Sequence, residues 1–134
     1  MAEAIAKFRF KRYKILSSNI EIKDDDNLDG KLNVVFEQTG TEDVGMNTYQ
    51  HTLVVKISNK DRSIVADVKI TGWFEFDSEI DDKTKFIFFN SSAPAILFPY
   101  LRAYITTLTG LSGINPIILP TLNLSNRNNA ERPE

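Results

Sequence analysis

No cysteine occurs in the 134-residue chain, which excludes disulfides, a thiol nucleophile and thiolate metal sites. A reducing compartment fits that composition. There is one histidine, His51, and a single imidazole cannot build a multi-histidine metal centre. Because His51 falls on the apolar parity of an alternating segment, it is read as a hydrogen-bonded structural residue. Excess charge is lacking too: the net charge is -2, with no field that would draw in nucleic acid. No apolar run reaches the length of a membrane span. The opening MAEAIAKFRFKRYKIL interleaves charges with its apolar residues, unlike a signal peptide. The expectation is a soluble, cytoplasmic chain whose length suits a single domain, residues 1–124, with a polar, disordered tail at 125–134.

Motifs that carry chemistry are missing as well. There is no nucleophile elbow and no glycine-rich dinucleotide fingerprint. Gly40 and Gly45 have the spacing of a P-loop, but Met46 and Asn47 stand where a lysine and a hydroxyl residue are required. The acidic run Asp24-Asp25-Asp26 with Asn27, Asp29 and Gly30 lacks the alternating ligands and distal Glu of a calcium loop. No cofactor, no metal and no enzymatic activity are therefore expected.

What the chain does have is an apolar stretch at residues 91–124. Ile96, Leu97, Phe98, Tyr100, Leu101, Ala103, Tyr104, Ile105 and Leu108 would cover most of the circumference of a helix, leaving Arg102 and the threonines for water. One sheet can bury one side of such a helix. The other side calls for a second copy of the chain, with Tyr100, Leu101, Tyr104, Ile105 and Leu108 as interface residues. Ser92 is read as the N-cap, Pro99 as a break that delays the regular helix, and Gly110 as its stop. Pro116 and Pro120 make the following segment an extended strap.

Upstream, four segments alternate with period two. Phe8 to Ile22 does so with two slips of phase: Phe8 and Phe10, then Tyr13 and Ile15, then Ile20 and Ile22. Slips of that kind mark an edge strand broken by bulges. Leu32, Val34 and Phe36 define a second strand, with a loop over residues 39–46. Tyr49, His51, Leu53, Val55 and Ile57 define a third, and Ile64 to Phe76 a fourth. Such strands with short connections make an antiparallel sheet, one face buried and the other wetter. Residues 77–90 cross to the helix. Within them Phe86-Ile87-Phe88-Phe89 fits a short buried strand or, alternatively, a groove wall. With Trp73 on the polar parity of its strand and Ile117-Ile118-Leu119, this is apolar surface beyond a minimal core, of a kind used for partners or covered by oligomerisation.

Several segments, in order, resemble the SecB family of export chaperones. Ile96-Leu97-Phe98-Pro99-Tyr100-Leu101-Arg102 is similar to the signature that opens the family's long helix. Pro120-Thr121-Leu122-Asn123-Leu124 is similar to the segment after it, and Asp67 to Phe74 resembles the fourth strand. The resemblance implies an α+β fold, a four-stranded antiparallel sheet packed on one long helix. It also implies a homotetramer built as a dimer of dimers and an ATP-independent holdase for non-native polypeptides. Its clients would be preproteins bound for export or, as in SecB-like members of toxin–antitoxin systems, an antitoxin. The client groove would use Leu32, Val34, Phe36, Trp73, Phe74, Phe86, Phe88, Phe89, Ile117, Ile118 and Leu122. Two positions matching the family's acidic dock for the SecA motor are Asn19 and Lys23, while Asp67 is kept, so SecA binding is expected to be weakened. The family's last helix, beyond Leu124, is expected to be missing. A small-ligand-binding protein with one closed apolar pocket is the alternative from a different class.

Overall fold

The computed structural model describes residues 7–24 and 31–120. Strands β1 (Phe8–Ile22), β2 (Leu32–Asp43), β3 (Thr48–Asn59) and β4 (Ile64–Phe76) precede helix α1 (Asp82–Ile87), a π-helical turn (Phe88–Ser92) and helix α2 (Ala93–Leu111). The strands form one antiparallel sheet in the order β1-β4-β3-β2. β2, β3 and β4 are a meander, but β1 pairs with β4 and not with β2, so both β1 and β2 are edges. The connection after β1 thus joins opposite edges of the sheet, in the manner of a Greek key.

The two phase slips in β1 have a structural cause. Its register against β4 shifts between Phe10 and Arg12 and again between Ile15 and Ser17, which makes Lys11 and Leu16 extra residues. Each extra residue reverses the parity of the strand beyond it. Phe8, Phe10, Tyr13, Ile15, Ile20 and Ile22 consequently lie opposite the inward-facing β4 residues Phe76, Phe74, Gly72, Ile70, Ala66 and Ile64. On β3 and β4 the inner face is buried throughout: Tyr49, Leu53, Val55, Ile57, Ala66, Val68, Ile70, Phe74 and Phe76 all lie in the core.

α2 lies on that inner face through a stripe at intervals of four, Ala93, Leu97, Leu101, Ile105 and Thr109, all fully buried. It can approach closely because Gly72 has no side chain; a Cβ there would come within 2.5 Å of Leu97 Cδ2. Three expectations about the helix need correcting. Helical structure begins at Asp82, where Asp81 caps α1 by accepting a 2.7 Å bond from the Thr84 N–H, while Ser92 sits in helical backbone without a side-chain cap. α2 also runs through Pro99, and its irregularity falls upstream, in the π turn. The helix ends at Leu111, beyond Gly110, and Gly113 supplies the left-handed residue (φ +93°). β2 extends past the expected strand end, so Gly40 lies in a strand and not in a loop.

Candidate functional site

The segment expected to be a buried strand or a groove wall, residues 86–89, is helical. Neither α1 nor the π turn contains a fully buried residue. What holds this crossover to the sheet is a set of rings. Phe89 stacks on Tyr49 with centroids 3.8 Å apart and meets Phe76 edge-on at 5.6 Å. Phe88 stacks on Phe8 at 4.7 Å, and Phe8 on Phe74 at 4.9 Å. The π turn adds a residue to the helical repeat, and at this irregularity the neighbours Phe88 and Phe89 both reach rings of the sheet.

A buried polar chain sits beneath these rings. The Tyr49 hydroxyl and His51 Nδ1 are 2.7 Å apart, and His51 Nε2 is 2.7 Å from Gln38 Oε1. An amide oxygen can only accept, so Nε2–H donates to it, and Nδ1 accepts from Tyr49. The Phe89 carbonyl is 3.4 Å from the same hydroxyl, which links the chain to the crossover. His51 is 3% exposed and partnered on both nitrogens, the structural role expected of it.

The outer side of the crossover is different. Lys85 Nζ donates to Glu42 Oε2 at 2.8 Å and lies 5.0 Å from the Phe76 ring centroid, tying α1 to the end of β2. The β2–β3 turn lies at this end of the sheet, where the Phe76 N–H donates to the Asn47 carbonyl. Here four large apolar side chains face outward: Val44 at 73%, Met46 at 70%, Phe86 at 66% and Ile87 at 50% exposure. Exposed apolar surface of this sort is available for a partner to cover.

A second apolar set lies where α2 ends. The strap after α2 is held by two threonines: Thr106 Oγ1 donates to the Ile117 carbonyl (2.9 Å), and the Ile117 N–H donates to Thr109 Oγ1 (2.8 Å). This turns Ile117 and Leu119 into the core and leaves Ile118 out, 65% exposed, with Leu111 at 84%. Thr109, expected to face water, is therefore buried as a backbone clamp.

Of the residues expected to bind clients, Phe86 and Ile118 are exposed, Leu32 is 38% exposed, and Val34, Phe36, Phe88 and Phe89 are half-buried at the margin of the core. Phe74 and Ile117 are core residues, at 1% and 7% exposure, and cannot meet a client while the fold is intact. Trp73 points to the opposite face of β4, where the Arg12 guanidinium stacks over it at 4.3 Å. Leu122 lies outside the described residues, as do residues 125–134 of the expected tail. Among the interface residues, Leu101 and Ile105 are fully buried against the chain's own sheet, because they belong to the stripe that repeats every four residues. Tyr100, at 41% exposure, Tyr104 and Leu108 flank that stripe, and the Tyr104 hydroxyl donates to Ser18 Oγ on β1 at 2.8 Å. Val44 and Met46 were not anticipated; their only signal was two apolar residues astride Gly45 in a segment read as a loop.

Among the described residues no cluster of acidic or histidine side chains could hold a metal ion. No helix among the described residues is long and apolar enough to cross a membrane. The architecture is thus α+β, a four-stranded antiparallel sheet backed by one long helix, with aromatic and apolar surface at the crossover between them. The model of the SecB family, preprotein translocase subunit SecB, matches residues 19–130, and the chain belongs to that family. The family consists of chaperones, not enzymes. Among curated proteins, the chain is similar to an uncharacterised protein of Methanocaldococcus jannaschii, 40% identical over 62 residues. That match takes in 46% of this chain and 39% of the relative, so the chain spans well under two thirds of the relative's length. Among solved structures, it is similar to the Mycobacterium tuberculosis SecB-like chaperone in complex with a peptide from the HigA1 antitoxin. The TM-score is 0.74 at 18% identity, covering 90% of this chain and 95% of that one, a likeness of fold.

Proposed function

We propose that this SecB-family chain is an ATP-independent holdase that captures extended apolar stretches of non-native polypeptides on its crossover end. The observation that carries this reading is the outward-facing group Val44, Met46, Phe86 and Ile87, each at least half exposed. Phe88 and Phe89 floor it, Leu32, Val34 and Phe36 line the β2 edge, and Ile118 with Leu111 forms a second contact area on the strap side. A single apolar side chain laid on such a surface contributes about 1–3 kcal/mol, too little to hold a client alone. Several copies of the surface on one oligomer raise the effective concentration for each next contact, and avidity supplies the rest. We infer a homotetramer, a dimer of dimers in which Tyr100, Tyr104 and Leu108 approach a second copy. It would act in the cytoplasm without cofactor.

A dedicated polypeptide client such as an antitoxin is favoured over general export, because the outer face lacks two of the acids that the SecA motor would dock on. Asn19 stands directly opposite Asp67 across β1 and β4, and Lys23 follows β1. SecA binding is accordingly expected to be weak.

The test is light scattering from a denatured, diluted model client without ATP, together with solution mass. Suppression near stoichiometric ratio with a tetramer mass is expected. Phe86→Asp with Met46→Asp should cut that suppression severalfold while mass and circular dichroism stay unchanged. A monomer that suppresses nothing would leave the chain as a fold kept for another purpose, such as a closed ligand pocket.

A further inference from the structure

The outer face of the sheet carries a small, locally positive surface on a chain whose net charge is negative. The register places Arg12 beside Trp73 and Gln50, Lys14 beside Thr71 and Thr52, and Ser17 beside Lys69 and Val54. Among the described residues Arg12, Lys14 and Lys69 have no ion-pair partner. The nearest carboxylate on the Arg12 side, Glu75, is already shared by Arg9 at 3.8 Å and Lys11 at 3.5 Å. Glu37 is paired with Lys56, and Asp67 lies directly across from Lys56 in the β3–β4 register. Three like charges so grouped repel one another, and an arriving anion would relieve that repulsion.

The surface also has shape. A shallow open depression of about 440 Å³ is lined by Leu16, Gln50, Thr52, Lys69 and Thr71, with Glu37, its carboxylate paired to Lys56, on the β2 side. Thr71 is fully buried on its floor, where its hydroxyl and that of Thr52 are 2.6 Å apart. Leu16, the extra residue of the second bulge, is 50% exposed at the rim, and Trp73 offers a ring face already occupied by the Arg12 guanidinium.

We propose that this face docks a short acidic segment of a partner protein, two or three carboxylates with an apolar residue among them. Lys69 and Trp73 lie on the outward parity of β4, and outward residues of a strand repeat about every 6.6 Å, the same repeat as alternate side chains of an extended peptide. The size of the patch sets the partner class. Glu75, Asp67 and Glu37 border the cations, so the positive surface extends only two or three strands and would not track a nucleic-acid backbone. This face lies opposite the client surface, so its docking role stands whether or not the holdase reading holds.

Trp73 is the chain's only tryptophan, so the docking surface carries its own reporter. The experiment titrates fluorescein-labelled decaglutamate into the full chain, following Trp73 emission and anisotropy at low and physiological salt. Decalysine and a single-stranded DNA decamer serve as competing probes. Saturable binding that changes Trp73 emission and weakens severalfold with salt is expected. Arg12→Glu with Lys69→Glu should weaken it at least about tenfold, and Lys14→Glu alone by a smaller factor. Client capture by these variants should be unchanged. A silent Trp73, binding indifferent to either variant, or DNA binding tighter than decaglutamate would each overturn the proposal.

Discussion

Replacing Gly72 by alanine adds one methyl group where β4 and α2 come closest. The new Cβ would lie 2.5 Å from Leu97 Cδ2 and 3.1 Å from both Cδ1 and Cγ. Ordinary carbon contacts lie near 3.5–4.0 Å, so Leu97 must retreat by about 1 Å. It has nowhere open to go, being fully buried among Leu53, Ile70, Phe74 and Leu101 in the same core. Overpacking of this kind costs about 1–3 kcal/mol. Stiffening of the unfolded chain offsets about 0.4–1 kcal/mol of that. The net loss should be about 1–2 kcal/mol, a fall in Tm of about 4–8 °C at fixed protein concentration. Leu97→Ala alone should cost about 2–5 kcal/mol through the cavity it leaves. In the double variant the methyl added by Gly72→Ala occupies part of that cavity, so the two losses should sum to about 1 kcal/mol more than the loss measured for the pair. The assay is thermal and urea unfolding of the four proteins of the cycle. A neutral Gly72→Ala, or two losses that simply add, would refute the steric account.

Tyr49→Phe removes the hydroxyl that donates to His51 Nδ1 and strands a buried acceptor, at a cost of about 1–3 kcal/mol. The Phe89 stack should survive, so a urea midpoint equal to that of the parent chain would rule out the polar chain as an anchor of the crossover. Asp81 and Asp61 both have carboxyl pKa values below the usual 3.8, the first through the hydroxyl and N–H of Thr84, the second through those of Ser63. A lowered folded-state value means that the α1 cap and the β3–β4 turn bonds contribute fully above the ordinary Asp range and fade as the pH falls through and below it. Asp81→Asn keeps an acceptor but no proton to titrate, so α1 should then lose its share of acid sensitivity in a hydrogen-exchange profile. An identical acid profile for parent and variant would remove Asp81 from that account.

Much of the sheet could be read from residues, and the reasons are local. On β3 and β4 one face is fully buried, so the alternation of Leu53, Val55 and Ile57, and of Ala66, Val68 and Ile70, had no exceptions to blur it. On β1 even the irregularities were legible, because each of the bulges at Lys11 and Leu16 reverses the parity once. Strand order was not legible. Nothing in β1 names β4 as its partner, and short connections suggest neighbours in sequence. The crossover misled for a different reason: Phe86 to Phe89 is too short a run for periodicity to separate helix from strand. The neglected signal was Asp81 with Thr84 three residues on, a capping pattern, followed by no glycine or proline until Pro94.

The apolar circumference of α2 argued for a second copy of the chain, and the structure divides that argument in two. Leu97, Leu101 and Ile105 are taken up entirely by the chain's own sheet, and Thr109 is spent on the strap. Tyr100 and Tyr104 are already drawn towards β1, one packed at a tilt against Tyr13 with ring centroids 4.5 Å apart and the other bonded to Ser18. What α2 has left over for a neighbour is therefore a narrower strip, aromatic and tipped with hydroxyls, running alongside an edge strand. Such a strip suits an interface in which hydroxyls keep a partner after assembly, since tyrosine can bury its ring and still satisfy its oxygen. The three surfaces of the chain then separate by chemistry. Bare apolar side chains sit at the crossover, tyrosines on the helix beside β1, and unpaired cations on the far side of the sheet. A client could be held on the first while the second assembles the oligomer and the third remains open to a partner.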